Sequence, residues 1–93
     1  MEKIAMFDLS PVNGQKSFYG KAKVAWDMAN DIAYLYSYNT VVCMYHINSR
    51  KFRRVWFGYS ATTMRHINAF RAKYGLTALS KAEWNNLNPW IPV

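Results

Sequence analysis

Acidic residues are scarce in this sequence. Between Asp31 and Glu83 there are none, and the whole chain of 93 residues has only five. The same interval contains eight basic residues: Arg50, Lys51, Arg53, Arg54, Arg65, Arg71, Lys73 and Lys81. The net charge of +7 and the isoelectric point near 9.8 favour nucleic acid, an acidic protein or an anionic surface as the partner.

The residues that common enzyme mechanisms need are also missing. Glycosidases use paired carboxylates and two-metal nucleases use an acidic cluster, and five scattered acids provide neither. Neither G-x-S-x-G nor a phosphate-binding P-loop motif occurs. Cys43 and His46 differ by three positions in a predicted strand, so they face opposite sides and do not form a zinc site. Ser60 and His66 are six apart, which predicts different directions. We therefore expect no enzyme activity, no metal and no cofactor.

A single cysteine, Cys43, rules out an intramolecular disulfide, and no apolar run is long enough to be a signal peptide or to cross a membrane. A cytoplasmic protein with no membrane partner is the expectation. The length allows one domain, for which we predict residues 15–93. Residues 1–14 are predicted to be a partly mobile leader, because Ser10-Pro11 and Asn13-Gly14 favour turns.

The periodicity of the sequence predicts an α+β fold. Alternating residues predict a four-stranded antiparallel meander over residues 16–26, 32–38, 41–47 and 52–57. A main helix is predicted over residues 61–74, with Ser60 as its N-cap and Gly75 as its stop, packed on one face of the sheet. Ser80 and Glu83 match a capping box, which predicts a short C-terminal helix carrying Trp84 and Leu87.

A helical wheel predicts which side of the main helix meets the sheet. The inward stripe is predicted to contain Thr63, Ile67, Phe70 and Tyr74, with Met64 at its edge. The opposite side is predicted to contain Arg65, Asn68, Ala69 and Ala72, and His66 is placed on a flank. The helix start beside Ser60, Thr62 and Thr63 allows an anion site, but ordinary capping is the favoured interpretation.

The densest charge lies between the third and fourth predicted strands. Residues 50–56 place four cations within five positions, which favours contact with phosphate groups. The predicted binding residues are Lys21, Lys23, Arg50, Lys51, Arg53, Arg54, Trp56 and Arg65. Alternation places Arg53 and Arg54 on opposite faces of the strand. The alternative is a solvated hairpin whose charges keep an edge strand from aggregating.

Tyr34, Tyr36 and Tyr38 share one face of the second predicted strand. If Leu35 faces the helix, the tyrosines lie on the open face of the sheet, where aromatic side chains stack on bases. If the tyrosines face the helix instead, they are large core residues. Periodicity does not distinguish these two arrangements.

Three segments carry a resemblance to a known family: KSFYGKAKV at 16–24, YSYNTVV at 36–42 and GYSATTMRHINAF at 58–70. Over about residues 15–84 the chain resembles small uncharacterised proteins, of a domain of unknown function, that phages, plasmids and integrative elements of Gram-positive bacteria carry. The resemblance implies a mobile-element protein in a bacterial host cell, where anti-CRISPR and other anti-defence inhibitors are common. It transfers no catalytic residue.

The combined expectation is a non-catalytic binding protein. The first hypothesis is an anti-CRISPR-type inhibitor that blocks a nucleic-acid-handling defence effector or ribonucleoprotein, of Cas9 type among others, through its basic aromatic surface. The second is a protein that binds DNA or RNA directly and acts as a regulator. The third is a structural or oligomerising module whose charge keeps it soluble.

Overall fold

The protein's structure, a computed structural model, describes residues 4–11, 18 and 20–88. Five strands form one antiparallel sheet in the order of the chain. They are β1 (Ile4–Asp8), β2 (Ala22–Asp27), β3 (Ile32–Ser37), β4 (Thr40–His46) and β5 (Lys51–Arg54). Two helices follow, α1 (Ala61–Lys73) and α2 (Lys81–Asn86). The α+β meander is confirmed, with five strands in place of four.

Strand β1 is the element that the sequence did not reveal. It pairs with β2, from Ile4 opposite Asp27 to Asp8 opposite Lys23. As an edge strand it is mostly exposed, so its residues show no clear inside-outside alternation. The first predicted strand is shortened to Ala22–Asp27, and its residues 16, 17 and 19 lie outside the described residues.

A bulge interrupts the pairing of β3 with β4. Leu35 pairs with Cys43 and Tyr36 pairs with Val41, which leaves Val42 as the extra residue. The Val42 carbonyl accepts hydrogen bonds from the N–H groups of both Val55 and Trp56, at 3.0 and 3.1 Å. The chain leaves the sheet at this point, so β5 ends at Arg54 and does not continue to residue 57.

Helix α1 begins and ends where the sequence predicts, within one residue. The Ser60 hydroxyl accepts a hydrogen bond from the Thr63 N–H at 3.0 Å. At the other end Gly75 has a φ of 76°, and the N–H of Leu76 donates to the Arg71 carbonyl at 2.8 Å. A left-handed residue followed by this longer bond is the usual way a helix stops at glycine.

The core lies between the sheet and the helices. It contains Val24, Leu35 and Cys43 from the strands, Phe70 from α1 and Trp84 from α2. Helix α2 has both halves of its capping box, as predicted.

The buried side of α1 is wider than the predicted stripe. Ala69, predicted to face away, is buried, and so is His66. Ala69 lines a small pocket together with Phe7, Leu9 and Ser10, and Leu9 belongs to the same buried cluster as Ala69. The end of β1 and the residues after it therefore lie over a flank that periodicity had assigned to solvent.

Candidate functional site

The open face of the sheet carries the candidate site. Ala33, Leu35 and Ser37 of β3 are buried toward the helices, and both helices contribute to the core on that side. Alternation along β3 therefore turns Tyr34 and Tyr36 to the opposite face. Tyr34 and Tyr36 therefore lie on the open face of the sheet and not against the helices, a choice that periodicity alone did not make.

The strand register arranges the open face into three rows that run across the sheet. The central row is Met6, Ala25, Tyr34, Met44 and Arg53. The row on one side of it is Ile4, Asp27, Ile32, His46 and Lys51. The row on the other side is Asp8, Lys23, Tyr36 and Val41. Each tyrosine thus lies in a row with a basic residue.

Most side chains of these rows, with Val55, line a largely apolar groove of about 530 Å³, whereas Asp8, Lys23, Lys51 and Arg53 lie outside its lining. Tyr34 and Tyr36 lie in its middle on β3, the central strand. Partial burial, followed by the charge of Asp27 and the proximity of Tyr36, raises the pKa of Tyr34. The hydroxyl of Tyr34 stays neutral at physiological pH, so the ring adds no negative charge of its own to the groove, which the Asp27 carboxylate also lines.

Tyr38 does not belong to the tyrosine stripe. It has a φ of 60° in the tight turn between β3 and β4, and its ring lies 5.9 Å from the His66 ring on the helix side. The Lys21 ammonium lies 5.9 Å from the centre of the Tyr38 ring. The stripe on the open face therefore has two tyrosines and not three.

The charges on the open face are asymmetric. Lys51 and Arg53 lie on the β5 side, whereas Asp8 and Asp27 lie on the β1 and β2 side, with Lys23 next to Asp8 in the register. The side chain and N–H of Asn30, and the N–H of Ala29, donate to the Asp27 carboxylate and lower its pKa. Asp27 therefore stays negative, so the positive charge of the open face is greatest on the β5 side.

Arg54 points away from this face, as alternation predicts for two successive residues. It is 6% exposed, and its guanidinium donates to the carbonyls of Trp56 (2.8 Å), Trp84 (2.9 Å), Leu87 (3.1 Å), Phe57 (2.5 Å) and Gly58 (3.4 Å). It also stacks on the Trp84 ring, 4.6 Å from the ring centre. These contacts make Arg54 the link between β5, the loop after it and α2.

The other predicted binding residues are dispersed. Arg50 is exposed in the turn before β5, with a φ of 56°. Trp56 is half-buried against the core, where its ring approaches Gly58 closely. Arg65 is exposed on α1, about 6.0 Å from the Phe18 ring centre, on the helix side of the sheet. The structure brings Lys23, Lys51 and Arg53 to the open face and places Lys21 and Arg65 on the other side.

Sequence reasoning missed a buried polar cluster between β3 and α1. Ser37 Oγ lies 2.8 Å from His66 Nδ1 and 3.1 Å from Thr63 Oγ1. Ser37 is 3% exposed and His66 is 1% exposed, with the Phe18 ring against the imidazole at 4.5 Å. The serine partner of His66 is thus Ser37 and not Ser60, and the pair is closed to solvent. Ser37 and His66 are 29 positions apart in the sequence, so no local sequence pattern could predict their contact.

Burial, followed by the charge of Arg65, lowers the pKa of His66. Between the pKa of an unfolded histidine, about 6.5, and the lower pKa in the fold, the unfolded chain binds more protons, so acidification favours unfolding. The contribution of neutral His66 to the free energy of unfolding is complete above that interval and is lost as the pH falls through it. We expect the urea midpoint to fall from pH 7.5 to pH 5.5.

The His66→Gln variant tests the source of this pH dependence. It should have a lower midpoint but little slope over the same interval. An unchanged slope in His66→Gln would show that another group is responsible.

Within residues 4–11, 18 and 20–88, no group of three or more His, Cys, Asp or Glu side chains is arranged to hold a metal ion. Cys43 is a fully buried core residue, and its burial raises the pKa of the thiol well above its ordinary value. The thiol is therefore protonated and unreactive. None of the helices in the described part of the chain has the length and apolar character of a membrane span.

The fold and this surface together define a small basic α+β domain with an open aromatic sheet face and a cationic edge. The chain matches the model of a family of unknown function, DUF8033, over residues 7–86, and it belongs to that family. No curated protein and no solved structure matches it. The resemblance to an uncharacterised family is confirmed, and the mobile-element origin stays a prediction.

Proposed function

We propose that this protein is a non-catalytic binding protein that engages a nucleic-acid-handling complex through the open face of its sheet. The observation that carries the proposal is that Tyr34, Tyr36, Lys51 and Arg53 all lie on the same face of the sheet. Aromatic rings beside cations suit a nucleic acid or a protein surface that imitates one.

The biological role that we propose is inhibition of a bacterial defence complex. The resemblance to mobile-element proteins supports an inhibitor of a bacterial defence effector, anti-CRISPR inhibitors of Cas9-type ribonucleoproteins being one example. A basic inhibitor of this kind occupies an acidic surface of the effector, or its guide RNA or target DNA. Direct regulation through DNA or RNA is the second candidate, and the two tyrosines on the open face favour it.

The test is capture from a bacterial host lysate by the tagged protein, with and without nuclease, followed by cleavage assays on the recovered effector. Lys51→Gln/Arg53→Gln should reduce capture and inhibition by at least tenfold. The control is Lys73→Gln/Lys81→Gln, in which two exposed lysines off the open face change and the net charge falls by the same two units from +7. Arg54 is left unchanged in this experiment, because its substitution is expected to destabilise the fold.

The outcomes separate the candidates. Capture that resists nuclease, is lost in the open-face pair and is kept in the control supports an inhibitor of a protein complex. Capture that nuclease abolishes supports direct binding to nucleic acid. If the open-face pair behaves as the wild type does, the proposal is wrong and a structural module becomes the better account.

A further inference from the structure

We infer that the open sheet face is a binding site for a single-stranded nucleic acid, with bases stacked on Tyr34 and Tyr36 and phosphates held by Lys51 and Arg53. This inference rests on the proposed function and names the ligand that occupies its surface. Three features of the face support it: the spacing of the tyrosines, the width of the sheet and the distribution of charge.

The spacing of the tyrosines suits bases that are not stacked on each other. Alternate residues on a strand lie about 6.8 Å apart, which is twice the ~3.4 Å rise per nucleotide of a duplex strand. Bases that cover both rings are therefore separated from one another, as in an extended single strand. Aromatic stacking of this kind tolerates any base, because each base has a flat π surface.

The sheet is too wide to enter the major groove of a DNA duplex and contact the bases there. Five strands spaced about 4.8 Å apart measure roughly 19 Å across, which is wider than the ~12 Å major groove of B-DNA. Tyr34 and Tyr36 lie on the central strand and line a groove, so they are away from the edges of the sheet. A paired base inside a duplex does not reach them.

The charge distribution orients the strand. Arg53 lies two strands from Tyr34 in the central row, and Lys51 lies in the next row on the same edge. On the opposite side Lys23 offsets its neighbour Asp8, and the Asp27 carboxylate leaves that side with a negative charge that disfavours a phosphate backbone. The phosphates therefore follow the β4 and β5 side, and the bases point inward across β3.

The experiment measures fluorescence anisotropy of labelled oligothymidine and oligouridine of about 12 nucleotides, and of a blunt duplex of the same length, over a salt series. We expect the wild type to bind the single strands at least tenfold more tightly than the duplex. Tyr34→Leu and Tyr36→Leu should each weaken binding on the order of tenfold, whereas the matching Phe variants keep most of it. Tyr59→Leu, which changes an exposed tyrosine off this face, is the control.

The salt dependence tests the phosphate contacts. Lys51→Gln/Arg53→Gln should reduce the slope of log affinity against log salt by about 1.4, since each phosphate contact to a single strand contributes about 0.7. Lys73→Gln/Lys81→Gln should leave the slope unchanged. Urea unfolding of every variant verifies that the fold is retained, and the Phe variants separate stacking from folding.

Three results would overturn the inference: equal affinity for duplex and single strand, unchanged affinity in both Leu variants, or absence of measurable binding. Nuclease-resistant capture that depends on Lys51 and Arg53, together with no affinity for any oligonucleotide, would overturn this inference alone. The proposed function would then stand, with an acidic protein surface as the occupant.

Discussion

The Arg54→Met variant is expected to be less stable than the wild type by about 3–5 kcal/mol, a large share of the total stability of a chain this size. Methionine retains an unbranched apolar stem but is shorter than arginine, and it removes the donors that serve five backbone carbonyls. Buried carbonyls that lose a charged donor cost about 1–3 kcal/mol each when water does not replace it. Urea unfolding followed by circular dichroism measures the loss.

Arg53→Met provides a matched control for this experiment. Arg53 is the preceding residue in the same strand and carries the same charge, but its side chain is on the open face. Its loss should change the free energy of unfolding by less than about 1 kcal/mol. Equal destabilisation by the two variants would contradict the assignment of Arg54 as the link between β5 and α2.

The Trp84→Ala variant is expected to lose about 3–5 kcal/mol of stability, because the side chain is fully buried and its removal leaves a large cavity. The indole N–H also donates to the Gly58 carbonyl at 2.9 Å, and the ring supports the Arg54 guanidinium. Helix α2 has only six residues, too few to be stable without this anchor. Far-ultraviolet circular dichroism in urea is the appropriate probe, since removal of a tryptophan alters the fluorescence signal itself.

Trp84→Phe distinguishes the packing of the ring from its hydrogen bond. Phenylalanine keeps much of the apolar volume, and the Gly58 carbonyl retains a donor in Arg54 at 3.4 Å. The expected loss is about 1–2 kcal/mol. Combined with Arg54→Met, Trp84→Ala should cost less than the sum of the two single variants, because each removes part of the same cluster. Additive losses would show that the two residues act independently.

The boundaries of the helices could be predicted because their signals are local. Ser60 and Gly75 delimit α1, and Ser80 with Glu83 forms the capping box of α2. Each signal depends on residues within a few positions of one another, and their hydrogen bonds form in any surroundings. The turn between the strands predicted over 32–38 and 41–47 was placed within one residue, since β3 ends at Ser37 and β4 begins at Thr40.

Strand β1 and the burial of Ala69 could not be predicted in the same way. An edge strand gains its structure by pairing with β2, and the chain after it covers a flank of α1 that the wheel assigned to solvent. Both depend on contacts between residues far apart in sequence. The buried group of Ser37, Thr63 and His66 is also of this kind, since polar residues in isolation give no sign of their partners.

The candidate site was only partly visible in the sequence. Alternation placed Arg53 and Arg54 on opposite faces, and Tyr34 with Tyr36 on the same one, because side chains alternate along any strand. It could not state which face was open. Net charge likewise indicated an anionic partner but treated every cation in the acid-free interval as equivalent.

The amino-acid sequence alone was enough to establish the charge, the helix ends and the relative faces of neighbouring residues, since these follow from composition and local periodicity. The packing of α1 and α2 on one side of the sheet decided the rest. It turned Tyr34, Tyr36 and Arg53 to the open face, and it enclosed Arg54 among backbone carbonyls. Burial is a property of the assembled fold, so two adjacent arginines acquired different roles.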